Sequence, residues 1–328
     1  LPTPTGDLLI PSPARWDESC FAVPAVRALL TSGWKIGLLC TTDQEAFWKT
    51  IPGLSILAVS PKDSARSLAK QLHDHWRSAL VWEDGTFAHA IRKSAIPRTI
   101  GPLDQRWAKW LSDPANLTEN PKAHRVEYYL AAARSLGQST TDPSLFAPVD
   151  GPDAMDKQPL LLIPDSDFGP SHEWPLPHWL DLTKRLAESS QAFRIARLPQ
   201  GRGMGLRLAE LVDDGESIPL EPSAAALPLL AGFQSLIAAD GSLPHLASHV
   251  GADCLTLFGP NDPLWKRPLG RRHHTVRHHV ECAPCLLPRC PLDHRCQLEL
   301  TADKVWAAWT AGYNRSNRIT PDQAHSQE

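Results

Sequence analysis

The chain alternates short runs of apolar residues with longer stretches in which apolar positions recur every three or four residues. The short runs predict strands at 8–10, 34–40, 54–59, 79–82 and 98–100, and the amphipathic stretches predict helices at 22–31, 64–77 and 125–136. A segment without periodicity, 138–158, reads as a linker. The rhythm then resumes, with strands at 160–163, 193–198, 235–239 and 254–258 and helices at 177–188, 204–212, 243–250 and 301–311. Such alternation predicts an α/β protein with parallel sheets. The expected division is a first domain over 1–140, a linker over 141–158, a second domain over 159–312 and a polar tail over 313–328. Two such sheets facing each other across a cleft would take ligands at the carboxyl ends of their strands.

A length of 328 residues fits two domains of roughly 150 residues each. The formal net charge of -3 argues against a globally basic nucleic-acid binder. No run approaches the roughly 18 apolar residues of a membrane span, and residues 1–17 lack the basic start and apolar core of a signal peptide. A soluble, cytoplasmic protein is therefore expected. Of the seven cysteines, Cys20, Cys40 and Cys254 lie in apolar segments, where a reduced, buried thiol is ordinary.

The stretch from Ser235 to Pro263, SLIAADGSLPHLASHVGADCLTLFGPNDP, carries the first chemistry. A buried strand breaks at Asp240-Gly241-Ser242, where Asp or Ser can cap a helix and Gly permits a close backbone approach. The amino end of that helix, with Leu243 in its first turn, would offer unpaired N–H groups to phosphate oxygens. His245 would face the same space and donate to a phosphate or a sugar hydroxyl. Asp240 as a mere cap and His245 as a surface residue fit these residues equally well.

This stretch resembles the bacterial lipopolysaccharide heptosyltransferases of glycosyltransferase family 9, particularly the heptosyltransferase II branch. The Asp240-to-His245 spacing, His245-Leu246-Ala247 and Phe258-Gly259-Pro260 followed by Pro263 match the family pattern, with Ser and Gly exchanged after the Asp. Residues 164–188, with Phe168-Gly169-Pro170 and Trp174-Pro175, and the segments 124–137 and 21–30 extend the likeness over nearly the whole chain. The resemblance implies the two-domain GT-B fold. It also implies inverting transfer of a heptose or related sugar from a nucleotide-diphosphate donor, ADP-heptose first, to a lipopolysaccharide-type, lipid-linked glycan.

Such transfer needs a carboxylate base for the acceptor hydroxyl and fixed positive charge for the departing diphosphate. The family's base lies in a Gly-Asp pair before the first helix. Here the spacing from Pro24 lands on Glu18, and Asp17 matches if one residue has been inserted; both also suit a helix start. Gly6-Asp7 is set aside because no strand can precede it. His172 stands where the family has a basic phosphate ligand, Ser166 lines the same loop, and Asp165 replaces a small glycine. A carboxylate at Asp165 would repel a diphosphate unless turned away or hydrogen-bonded. These departures support a second expectation, a degenerate GT-B domain that binds glycan, nucleotide or a partner without turnover.

Two further features need a reading. The basic run 266–285, with Lys266, Arg267 and Arg271, and with Arg15 elsewhere, could contact phosphates of an acidic acceptor or an anionic membrane surface, at the inner face of the cell membrane. A solvated loop explains the run equally well; nucleic acid is disfavoured by the absence of interleaved Phe or Tyr. Within the loop 280–297, Cys282, Cys285, Cys290 and Cys296 follow C-x2-C-x4-C-x5-C, a spacing that could close a structural zinc site or leave free thiols or a labile disulfide. The transfer implied by the resemblance needs no metal or other cofactor.

Overall fold

The computed structural model describes residues 8–103, 105–117, 120, 122–149, 158–201, 203–212 and 216–316. Gly6-Asp7, positions 150–157 of the expected linker and positions 317–328 of the expected tail lie outside the described residues. The chain divides into two compact units, Leu1–Val149 with Ser223–Ala225 and Asp150–Pro222 with Ala226–Glu328.

The first unit runs β1 (Leu8–Pro11), α1 (Trp16–Thr31), β2 (Ile36–Thr41), α2 (Glu45–Trp48), β3 (Leu54–Val59), α3 (Ala65–Leu72), β4 (Ser78–Leu80), α4 (Thr86–Lys93), β5 (Arg98–Pro102), β6 (Asp113–Ala115) and α5 (Val126–Ser135). All six strands are parallel, in the order β3-β2-β1-β4-β5-β6. Leu8, Leu9 and Ile10 of the central strand are fully buried, as a parallel strand covered on both faces requires.

Helix α1 starts six residues before its expected first residue. Its first turn therefore contains Asp17 and Glu18, whose charge complements the amino end of the helix. Helix α3 stops five residues early, because His73 leaves the helical region and Asp74 takes a left-handed φ of 61°. The start of the expected linker is ordered: a 3-10 turn at Pro143–Phe146 buries Leu145, and Arg27 of α1 donates to the Leu145 and Ala147 carbonyls.

The second unit runs β7 (Gln158–Ile163), α6 (Leu176–Glu188), β8 (Arg194–Arg197), α7 (Met204–Leu211), β9 (Ser217–Pro219), α8 (Leu227–Ala231), β10 (Phe233–Ala239), α9 (Ser242–His249), β11 (Asp253–Phe258), α10 (Pro263–Lys266), β12 (His274–Arg277), α11 (Arg295–Leu298) and α12 (Ala302–Ser316). Its parallel sheet has the order β12-β11-β10-β7-β8-β9. The expected basic loop is thus crossed by a strand, β12, with Leu255 to Phe258 paired to His274 to Arg277.

Read from its own first strand, each sheet has the same order, 3-2-1-4-5-6. In each the connectivity reverses beside the first strand, between β1 and β4 and between β7 and β10. The carboxyl ends of strands at such a reversal leave a crevice that open α/β sheets use for ligands. The apolar core beneath the second crevice includes fully buried Trp174 and Trp179, packed with Leu160, Leu162 and Ile237 of the sheet. Burial of the Trp174 ring is compatible with its indole N–H, which donates to the Leu300 carbonyl at 2.6 Å.

Candidate functional site

In the second unit, β7 delivers Asp165, Ser166 and Asp167 to the crevice and β10 delivers Asp240 and Gly241. Between them lies a cavity of about 90 Å³, bounded on its apolar side by Leu198, Leu220 and Leu243 and on its polar side by Ser166 and Asp167. Asp240 is fully buried. Its Oδ2 pairs with His172 Nδ1 at 2.9 Å and accepts from Asn261 Nδ2 at 2.6 Å. Its carbonyl accepts the Ser166 hydroxyl at 2.5 Å, which ties the β7 loop to the end of β10.

Helix α9 does begin at Ser242, but Gly241 occupies the cap position and neither Asp240 nor Ser242 caps with its side chain. Asp167 does so from across the crevice: its carboxylate accepts the Ser242 N–H at 2.7 Å and the Ser242 hydroxyl at 2.7 Å. A carboxylate of the chain itself thus sits where an anion would bind, and a bound diphosphate would compete with it for these donors. Gly241 permits this approach, since a Cβ there would come within 2.8 Å of Asp167 Oδ1.

Asp165, the feared source of repulsion, is turned away. It accepts the Met204 N–H at 2.6 Å and the Gly205 N–H at 3.1 Å, capping α7 instead. Burial raises its pKa, and the helix amides partly offset that rise. Burial likewise raises Glu173, which accepts from Ser166 N.

Several expected contacts have different surroundings. His172 is 3% exposed and His245 only 1%, so both rings are enclosed rather than open to the crevice. Lys266 is buried against the Trp265 ring, 5.2 Å from its centroid, and does not stand out into solvent. Arg267 and Arg271 are exposed. Cys282 is exposed, Cys285 and Cys290 are half-buried, and Cys296 is buried; all four are free thiols. Among the described residues no group of three or more His, Cys, Asp or Glu side chains is placed to hold a metal ion. Burial, followed by the neighbouring cysteines, pushes the Cys296 thiol up to about 11, which keeps it protonated near neutral pH.

In the first unit the crevice between β1 and β4 holds a larger cavity, about 230 Å³, lined among others by Ser12, Ala14, Thr41, Gln44, Asp63 and Glu83. Asp17 and Glu18 are not among its lining residues. Asp17 is fully buried and gripped in two-point fashion by Arg15, at 2.9 and 3.0 Å. Glu18 accepts from Arg125 Nε at 2.8 Å and from the Tyr129 hydroxyl at 2.7 Å. Glu83, which the sequence did not single out, accepts the Ala14 N–H at 2.7 Å and reaches the cavity from the turn after β4.

The sequence model of glycosyltransferase family 9 (heptosyltransferase) matches residues 66–295. Lipopolysaccharide heptosyltransferase 1 of Pseudomonas aeruginosa is 30% identical over 185 residues, which cover 55% of this chain and 49% of that protein. The chain spans about half the length of the curated heptosyltransferases it matches. In fold it is similar to Escherichia coli ADP-heptose lps heptosyltransferase II, with a TM-score of 0.75 at 16% identity over 95% of this chain and 99% of that one. It is also similar to the E. coli heptosyltransferase WaaC with ADP, with a TM-score of 0.72 at 16% identity over 93% and 99%. The GT-B fold expected from the motifs is therefore present.

Proposed function

Because the chain belongs to glycosyltransferase family 9, we propose that it transfers a heptose, with inversion, from ADP-heptose to a lipopolysaccharide core or related glycan. The observation that carries this reading is a coincidence of place. The cavity at the reversal of the second sheet is lined by Gly241, Leu243 and Pro244, the part of the chain that carries the family-like motif. Leu198, Leu220 and Leu243 would bound the nucleoside, while Ser166, Ser242 and the amide end of α9 would meet the diphosphate once Asp167 swings out. Asp167 is exposed and free to do so without opening the core. His172 and His245 would act behind this layer, by fixing Asp240 and α9. No resident metal or cofactor is required. Identity at the level seen with a heptosyltransferase favours transfer over a degenerate binding domain.

Thermal unfolding with ADP, UDP, GDP and CMP tests the donor assignment. A ligand at about 100 times its Kd adds roughly 2.7 kcal/mol to stability. ADP should raise the melting temperature and the other nucleotides should not; equal shifts, or none, would remove ADP as the donor nucleotide.

The acceptor is lipid-linked, and the proposal includes peripheral contact with an anionic membrane from the cytoplasmic side. No helix among the described residues is long and apolar enough to cross a membrane. Among the described residues, the exposed leucines Leu264, Leu286, Leu287, Leu292 and Leu298 flank the basic run on either side. Arg272 and Arg277 there are ion-paired with Asp253 and Asp262, so the remaining basic residues supply only a modest attraction, about 1 kcal/mol each near an anionic surface. The chain should sediment with phosphatidylglycerol-containing vesicles at low salt and be released at high salt. Replacing Leu286 and Leu287 with Ser should weaken binding at both. Binding that ignores lipid charge, salt and these leucines would contradict the assignment.

A further inference from the structure

We propose that Asp165 reads the sugar of the donor nucleotide, its carboxylate accepting a ribose hydroxyl. The inference rests on the donor assignment above and adds a residue that stands where the family pattern has a small glycine. Three observations lead to it, and all lie within the second unit.

The first is the order of parts along the sheet. Neighbouring strands run β10, β7, β8, β9. The amide end of α9 follows β10, whereas Leu198 follows β8 and Leu220 and Pro222 follow β9. A nucleotide with its diphosphate at α9 and its base among these apolar side chains must pass its sugar over the ends of β7 and β8. Asp165 occupies that span. It leaves β7, and its carboxylate crosses to the turn after β8, where it accepts from the Met204 and Gly205 N–H groups at 2.6 and 3.1 Å with the Leu198 N–H alongside.

The second is access. The same residue borders the cavity of about 90 Å³ together with Leu198, Leu220, Pro222 and Gly241. Asp165 is only 9% exposed, so a hydroxyl brought to it is bonded largely out of bulk water, where a charge-assisted hydrogen bond is stronger.

The third is capacity. An ionised carboxylate has about four acceptor positions, and the neighbouring amides fill at most three of them. One remains for a hydroxyl hydrogen. The amides also fix the carboxylate and favour its charged form, which eases its place near a diphosphate. Gly203, whose φ is +106°, and Gly205 make room for it, since a Cβ at either would collide with the carboxylate. In dinucleotide-binding folds an acidic side chain likewise accepts from a ribose hydroxyl.

Affinities of the full chain for ADP, 2′-deoxy-ADP and 3′-deoxy-ADP, measured by titration calorimetry, test the proposal. Wild type should bind ADP about 10- to 100-fold more tightly than at least one deoxy analogue, the difference expected for a hydrogen bond to a charged group. Asp165→Ala should bring ADP down to the affinity of that analogue and leave the analogue's own affinity near its wild-type value. Asp165→Asn, which keeps the shape and one oxygen for the α7 amides, should retain only part of the preference.

Alanine also removes support for α7, so both variants are first checked for folding by circular dichroism, and if the alanine variant is unfolded the asparagine variant decides. A residue that only supports α7 would weaken all three nucleotides alike, and that result overturns the role. Equal binding of all three by wild type, or an undiminished preference in a folded variant, overturns it too and leaves the donor assignment standing. Absence of binding by any of the three overturns the donor assignment, and the role of Asp165 with it.

Discussion

Replacing Asp240 with alanine is expected to destabilise the second unit and to abolish ADP-dependent stabilisation. The carboxylate is fully buried and serves two enclosed donors, the His172 ring at 2.9 Å and the Asn261 amide at 2.6 Å. A buried donor left without its acceptor costs about 1–3 kcal/mol, and alanine would strand both. The loss should propagate to function, because the same residue's carbonyl holds Ser166 and its successors form the start of α9. Asp240→Asn should lie between, since it keeps the volume and one acceptor oxygen but not the full charge. Thermal unfolding with and without ADP checks both statements. An alanine variant that melts with wild type and still responds to ADP would show that this buried cluster is neither structural nor part of the donor site.

The second large effect is expected at Arg125. Its guanidinium pairs with Glu18 at 2.8 Å in a setting where the two side chains are only 12% and 9% exposed, and it lies over the Tyr128 ring at 4.4 Å. Removing one partner of a buried ion pair leaves an uncompensated charge, typically a loss of about 3–5 kcal/mol. Arg125→Ala, which strands the Glu18 carboxylate, and Glu18→Gln, which strands the Arg125 guanidinium, should therefore each lower the melting temperature of the first unit.

Much of the fold is legible in the sequence because buried parallel strands read as short apolar runs. β1, β3, β7, β10 and β11 lie within a few residues of their expected places. The strands that escaped notice are at the edges. β6 (Asp113-Pro114-Ala115) and β9 (Ser217-Ile218-Pro219) are three residues long with a proline each, and β12 is a half-exposed HTVR inside a basic run. Edge strands tolerate proline and polar residues, so periodicity does not reveal them.

The candidate sites were legible in proportion to how local they are. The Asp240-Gly241-Ser242 break and the start of α9 follow from adjacent residues. The cap on α9 does not, because it comes from Asp167, 75 positions earlier. Asp165 drew attention as the anion beside the phosphates, whereas in the structure it serves α7 and its neighbour two residues on holds Ser242. Glu83 is harder still. A lone carboxylate in a turn after a short strand carries no motif, and only the 3-2-1-4-5-6 order brings that turn beside the end of β1.

The most direct test of the central claim is ADP release from ADP-heptose by the purified chain, measured with and without a lipopolysaccharide core lacking the terminal heptose. The account predicts release that depends on the acceptor, matched by one heptose gained per acceptor with inverted anomeric configuration. The absence of acceptor-dependent release, in a protein that is folded and binds no ADP, would contradict it.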